Sequence, residues 1–285
     1  MEIKASQVKE LRDMTGVAMM ECKKALVECG GDIEKALDLL RSNSALKAEK
    51  KATRVAADGV LRVYVGENYS TLIEINSETD FAAKDENFIK FADDVQKFIS
   101  ENKLTNIADI QASEVEDKRR ALVQTIGENI QLRRLETIEY SSEMNTSSYV
   151  HSDSKLGSIV VISGGDETLA KDIAMHVAAF NPLCLSETDI DPQILEREKA
   201  IYMVQAKESG KPQEIMEKMI EGKLKRFLSE VSLLSQNFVK DPDVTIQGLL
   251  DTNNAKIESY TRLKVGEGIE VETKNFADEV AEQLK

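Results

Sequence analysis

Few side chains in this sequence offer nucleophile, base or metal-ligand chemistry. There are two histidines, His151 and His176, and three cysteines, Cys22, Cys29 and Cys184. A nucleophilic thiol needs a base within hydrogen-bond reach, and no motif orders Cys184 with either histidine. His176 lies in the apolar helical run Ile173-Ala174-Met175-His176-Val177-Ala178 and reads as a satisfied helix histidine. The cysteines have no metal-ligand spacing and read as reduced thiols in or near a core. No G-x-x-x-x-G-K-[ST] loop is present to cradle a phosphate. Val265-Gly266-Glu267-Gly268 carries two of the three glycines of a dinucleotide loop, at a strand end. These patterns predict a binding protein, not an enzyme, with no cofactor and no metal.

The stretch best suited to binding runs from Ser70 to Phe91, STLIEINSETDFAAKDENFIKF. Leu72, Ile73 and Ile75 read as a strand. Phe88, Phe91, Val95 and Phe98 recur at helical spacing. Between them Asn76-Ser77-Glu78-Thr79-Asp80-Phe81 makes a polar corner that ends on an aromatic. Phe81 is either a staple pinning the helix to the sheet or an exposed anchor beside an acid, able to enter a partner's pocket.

The elements around this corner predict an α+β protein. Three short helices over residues 3–45 are expected first, resembling a ubiquitin-associated (UBA-type) domain. Ser6 would cap the first, with Val8, Leu11 and Met14 inward and Gly16 as its stop. Met19 to Cys29 makes the second, stopped by Gly30-Gly31, and Asp32 caps the third. Met19 and Met20 cannot both face inward on one helix, so at least one is expected in solvent. Arg12 reads as a solvated charge or a partner contact. Lys47 to Arg54 is a basic connector, either a linker or a helix end.

Beyond Asp58 a layout of strand, turn, strand, polar corner and helix occurs twice, suggesting an internal duplication. Gly59–Val65 and Tyr69–Ile75 form the first hairpin; Tyr149–His151 and Gly157–Ser163 form the second, with Gly164-Gly165-Asp166-Glu167 as its corner. The second corner has no aromatic, which tilts Phe81 away from a purely structural role. Residues 114–138 are expected to add a helix, KRRALVQTIGENIQLRR, running into a strand at Leu132–Glu139. Leu169, Ile173, Val177 and Phe180 should line the second copy's helix. Residues 191–231 predict an antiparallel helical hairpin whose seam joins Ile194, Ile201 and Val204 to Ile215, Met219 and Phe227, with self-association to cover it. Strands at Ile257–Val265 and Ile269–Glu272, then a helix marked by Phe276, Val280 and Leu284, complete the chain. The expected units are 1–55, 56–140, 141–264 with the inserted hairpin at 184–232, and 265–285.

Composition narrows the function classes. The chain has 285 residues, no Trp and a formal net charge of −14. Residues 1–55 hold eleven Lys/Arg against nine Asp/Glu, so the remaining 230 residues carry about −16. An acidic body argues against binding a phosphate backbone. No apolar run reaches membrane-spanning length and no leader is recognisable, so a cytoplasmic location is expected.

Several segments together resemble a known family. They are Val8-Lys9-Glu10-Leu11-Arg12, Thr15-Gly16, Met19-Met20, Cys22 to Leu26, Ala56-Ala57-Asp58-Gly59, Glu78-Thr79-Asp80-Phe81 and Gly127-Glu128-Asn129-Ile130. Ile173 to Ala179, Gly210-Lys211-Pro212 and Val265 to Glu270 continue the match. In order and spacing the sequence closely resembles the bacterial elongation factor Ts family over essentially its whole length. That resemblance implies a nucleotide-exchange factor for elongation factor Tu, built from an N-terminal domain, a two-part core, a helical dimerisation module and a C-terminal module. It implies that Thr79, Asp80, Phe81 and Ala82 bind the partner and dislocate its Mg²⁺. It further implies partner contacts at Arg12, Met19, Met20 and His151, and a possible homodimer within a 2:2 assembly. The rival readings are a UBA-type adaptor without exchange activity and a small hydrolase using Cys184.

Overall fold

The computed structural model of the protein describes residues 3–270, a mixed α/β fold with small antiparallel sheets. Three helices come first, α1 (Ala5–Thr15), α2 (Met19–Glu28) and α3 (Ile33–Lys51). Val8, Leu11, Cys22, Leu26, Ala36 and Leu40 form their shared core. Gly16 ends α1 at φ 67°, a left-handed conformation that a side chain would resist. Asp32 caps α3, accepting from the Lys35 amide at 3.1 Å.

Three details here differ from the sequence expectation. Helix α1 starts before Ser6, and Gln7 Oε1 accepts from the Lys4 amide at 3.2 Å in place of a Ser6 cap. Met14 is exposed, because α1 turns only Val8 and Leu11 fully inward. Helix α3 continues past residue 45 through Lys51, which selects the helix-end reading of the basic connector over a linker. Ala48 explains the extension, since it packs into the neighbouring core.

The body opens with the antiparallel hairpin β1 (Asp58–Val65) and β2 (Tyr69–Ser77). It continues through α4 (Asp80–Ala83), α5 (Glu86–Asn102), α6 (Ile107–Gln111) and α7 (Glu114–Ile126) to β3 (Gln131–Glu139), which pairs with β2. Phe81 does not begin the long helix. Asp85 caps α5 separately, accepting from the Asn87 amide at 2.8 Å, and leaves α4 as a single turn. Likewise α7 stops at Gly127, φ 87°, and residues 127–130 form a loop.

A second hairpin follows, β4 (Asn145–Val150) and β5 (Leu156–Ser163), then α8 (Glu167–Phe180) capped by Asp166. Helices α9 (Pro192–Glu208) and α10 (Gln213–Val231) form the antiparallel hairpin. After β6 (Asn237–Phe238), β7 (Asp241–Thr245) and α11 (Ile246–Thr252), β8 (Lys256–Lys264) adds to the free edge of β5. The strand expected at Ile269–Glu272 is absent at Ile269 and Glu270. The rest of that strand and the helix marked by Phe276, Val280 and Leu284 lie outside the described residues.

Strand orders are β1-β2-β3 and β4-β5-β8, each with the second hairpin strand in the middle. The two sheets meet through Leu61, Leu72, Ile159 and Leu263. Phe88, Phe91 and Val95 of α5 and Val123 of α7 cover the outer face of the first sheet. Ile173 and Val177 of α8 cover that of the second. The layers therefore run helix, sheet, sheet, helix. Strand β2 is enclosed on both faces and is buried at every position.

Four expected inward residues point elsewhere. Phe180 is half exposed at the end of α8, stacked on His176 at 4.6 Å between ring centroids. In the α9–α10 hairpin Ile201, Met203, Val204 and Ile215 face solvent, whereas Ala206 is buried and Ile220, Leu224 and Leu228 are half-buried. Two isolated helices bury only one narrow stripe each, so the remaining apolar positions stay in water.

Candidate functional site

The Asp80–Phe81 corner is built where β2 leaves the sheet. Thr79 is extended and caps the short turn α4, its Oγ1 accepting from the Ala82 amide at 3.3 Å. Ala82 and Ala83 are buried, fixing the inner side of the turn. The same turn directs Phe81 outward, where it is 82% exposed, the most exposed of the large apolar side chains among the described residues. The staple reading of Phe81 fails on that exposure.

Asp80 sits beside it, ion-paired with Lys84 at 2.7 Å on the same turn. Lys84's hydrogen bond and charge hold the Asp80 carboxyl below its ordinary value, and Lys155 acts in the same direction. The corner thus presents an ionised carboxylate and a bare aromatic ring side by side.

His151 lies in the β4–β5 turn, exposed, with Nδ1 2.9 Å from the Tyr149 hydroxyl. That turn is held against the first sheet, because the Leu61 amide donates to the Ser154 carbonyl at 2.7 Å and Lys155 Nζ donates to Asp58 Oδ2 at 2.9 Å. Since α4 packs on β1 as well, the His151 turn and the corner share the β1 neighbourhood. Arg12, Met19 and Met20 are all exposed, but on the separate N-terminal helices. Both methionines, not merely one, are in solvent, at 45% and 64% exposure. The fold therefore groups Thr79, Asp80, Phe81 and Ala82 with the His151 turn, and leaves Arg12, Met19 and Met20 on another unit.

His176 and Cys184 do not form a nucleophile pair. His176 Nδ1 accepts from the Val239 amide at 3.2 Å and Nε2 donates to Gln236 Oε1 at 3.0 Å. Cys184 is buried with Sγ 3.3 Å from the Ser232 hydroxyl. Burial pushes the His176 pKa below its ordinary value, against the opposing bond from Gln236. A histidine held neutral in the fold contributes stability above its unfolded pKa of about 6.5, and that contribution is lost as pH falls through the folded value. Urea midpoints should accordingly drop between pH 7 and 5.5, and a His176→Gln variant should show a shallower drop. Equal slopes would remove this histidine from the acid response.

Among the described residues no group of three or more His, Cys, Asp or Glu is placed to hold a metal ion. No helix among them is long and apolar enough to cross a membrane. Sequence reasoning missed the residues that hold the corner, Glu78, Lys84 and Glu128. Only Lys84, four residues after Asp80 on one helical face, carried a sequence signal.

Comparison with known proteins places this geometry. Residues 78–267, from the corner to the turn after β8, match the family model described as Elongation factor TS. Over 285 residues the chain is 50% identical to Elongation factor Ts of Hahella chejuensis (strain KCTC 2396), covering 99% of each protein. It is 48% identical over 289 residues to Elongation factor Ts of Francisella tularensis subsp. novicida (strain U112), again covering 99% of both. With Elongation factor Ts of Thioalkalivibrio sulfidiphilus (strain HL-EbGR7) it shares 46% identity over 292 residues, covering 100% of this chain and 99% of that protein. A domain match across the sheets and corner, joined to near-full-length identity of this order, shows that the chain belongs to the elongation factor Ts family.

Proposed function

We propose that the chain is a non-enzymatic guanine-nucleotide exchange factor in translation elongation, working in the cytoplasm on elongation factor Tu. The observation that carries this reading is Phe81, 82% exposed beside the ionised Asp80 on an otherwise fixed corner. An apolar ring kept in water has no role in the free fold and suits insertion into a partner. Inserted near the partner's nucleotide site, the ring would displace packing while Asp80 disturbs the groups that hold Mg²⁺, a cation that takes near-octahedral oxygen ligation and tolerates little distortion. Release then follows from linkage: a factor that binds the empty partner more tightly than the loaded one weakens nucleotide binding by the same factor. The factor holds the empty partner until GTP enters. Thr79 and Ala82 belong to the inserted element, and His151 adds a contact from the adjoining turn.

The test is release of a fluorescent GDP from elongation factor Tu after mixing with this chain. Acceleration that saturates with concentration supports the proposal; unchanged release rejects it and leaves the adaptor reading.

Arg12, Met19 and Met20 are assigned to a second contact, made by the N-terminal helices. Because both methionines are exposed, the double variant Met19→Ala/Met20→Ala should keep its melting temperature while losing roughly tenfold in affinity for the partner, a modest share of interface energy. Calorimetric titration reads the affinity, and an unchanged Kd would remove these residues from the interface. The α9–α10 hairpin is assigned to self-association, since Ile201, Met203, Val204 and Ile215 leave apolar surface on it uncovered. Sedimentation should show a concentration-dependent dimer that Ile201→Glu weakens.

A further inference from the structure

A four-residue helix has almost no stability of its own, yet α4 carries the most exposed apolar side chain of the described residues. Something outside the turn must fix its direction. The contacts point to the α7–β3 loop. Glu128 accepts twice from one residue, from the Thr79 amide at 2.9 Å and from the Thr79 hydroxyl at 2.7 Å. In return the Asn129 amide donates to Glu78 Oε1 at 2.6 Å. Each corner thus lends a carboxylate to the other corner's backbone, across some fifty residues of sequence.

The arrangement is directional. Because the Thr79 hydroxyl donates its proton to Glu128, its lone pairs are left to face the Ala82 amide, which they cap at 3.3 Å. The chain of contacts runs from Glu128 through Thr79 to the turn that carries Phe81. The far end is tied as well: Glu78 pairs with Arg54 at 3.5 Å, and the Asn129 side chain donates to the Arg54 carbonyl at 2.7 Å. Charge-assisted bonds of this kind are stronger than neutral ones, and an anchor already held in its docking direction loses less freedom on binding.

We infer that Glu128, with Glu78 as its counterpart, is a positioning residue that holds the Asp80–Phe81 corner in the direction in which it enters the partner. This rests on the exchange reading above. Neither carboxylate is fully buried, so removing one opens no cavity in the core. Their effect therefore reaches function through Phe81 and should vanish when Phe81 is gone.

The experiment uses the full chain and four proteins: wild type, Glu128→Gln, Phe81→Ala and the double variant. In the free protein, amide exchange at Thr79 and Ala82 should speed by about tenfold or more in Glu128→Gln, as the cap loosens. Stimulated GDP release should fall about tenfold in Glu128→Gln, but less than twofold when the same change is made in the Phe81→Ala background, the signature of coupled residues. Losses that multiply would overturn the inference while leaving the exchange reading intact. So would unchanged exchange at Thr79. Failure of the wild-type chain to stimulate release would instead remove the exchange reading, and this inference with it. Glu78→Gln tests the clamp from its other side. A melting temperature lowered by more than about 5 °C in both single Glu variants would make the clamp a fold element and overturn its positioning role.

Discussion

Phe81→Ala is expected to melt with the wild-type protein and to stimulate GDP release roughly 30-fold less well. The first half follows from exposure. A substitution at a surface side chain shifts stability by about 0.5 kcal/mol or less, whereas emptying a buried aromatic site costs about 3–5 kcal/mol. At 82% exposure Phe81 belongs to the first class. The second half follows from interface energetics, where a buried aromatic anchor contributes above about 2 kcal/mol, and each 1.4 kcal/mol is about a factor of ten. Asp80→Ala should act in the same direction. Its carboxylate is held by Lys84 in the free protein, so it must leave that pair before it can act on the partner's cation site. Melting by scanning calorimetry and stopped-flow release on one preparation decide the matter. A variant that melts early but, while folded, stimulates release normally would return Phe81 to a structural role.

How much of this was legible in the sequence depends on whether local chemistry or distant packing decides each feature. Gly16, Gly30-Gly31 and Asp32 mark helix ends as the sequence suggests, because caps and left-handed stops are set within a few residues. The first hairpin and the corner were readable for the same reason, whereas β4 begins at Asn145 and leaves His151 in the turn, not in the strand expected at Tyr149–His151. The length of α3 was not, since Ala48 is helical on account of a core that the chain builds only later. The hairpin seam was misread because helical periodicity allows more than one apolar stripe, and only the partner helix selects Ala206 and Leu224 over Val204 and Ile215. The short β6, β7 and α11 carry too few residues to show a period. At the corner itself the residue types were visible, but the carboxylates that hold it come from the α7–β3 loop, and no spacing rule joins Thr79 to Glu128.

The largest stability effect should come from a residue outside the proposed interface, Glu74 on β2. Its side chain is fully buried in the middle strand, at the end of the contact between the two sheets. A carboxylate there must be paired, and it is. The Gly266 amide donates to it at 2.8 Å, Asn76 Nδ2 at 3.0 Å and Arg133 Nη1 at 3.0 Å, with Arg134 Nε as a further donor. Consecutive residues on a regular strand point to opposite faces, so Arg133 and Arg134 should not both reach one carboxylate. A bulge makes it possible: Glu74 pairs with Arg134 and Ile75 with Leu132, which leaves Arg133 as the extra residue. The two arginines then donate onward to the Glu267 and Lys264 carbonyls, at 2.6 and 2.7 Å, and tie the turn after β8 to the first sheet. Glu74→Ala should destabilise the fold by about 3–5 kcal/mol, the usual cost of removing one partner from a buried ion pair, or roughly 10 °C in melting temperature. Desolvation alone would raise the pKa of Glu74, but the bonds from Gly266, Arg134, Asn76 and Arg133 outweigh it and hold the carboxyl below its ordinary value. The sign follows: a depressed folded pKa contributes stability above the unfolded value of about 4.3, lost as pH falls through the folded value. Urea unfolding of Glu74→Gln should therefore show a deficit that is large at pH 7 and shrinks as pH falls below about 4. A deficit independent of pH would mean that the shape of the side chain, and not its charge, holds the two sheets and the Gly266 turn together.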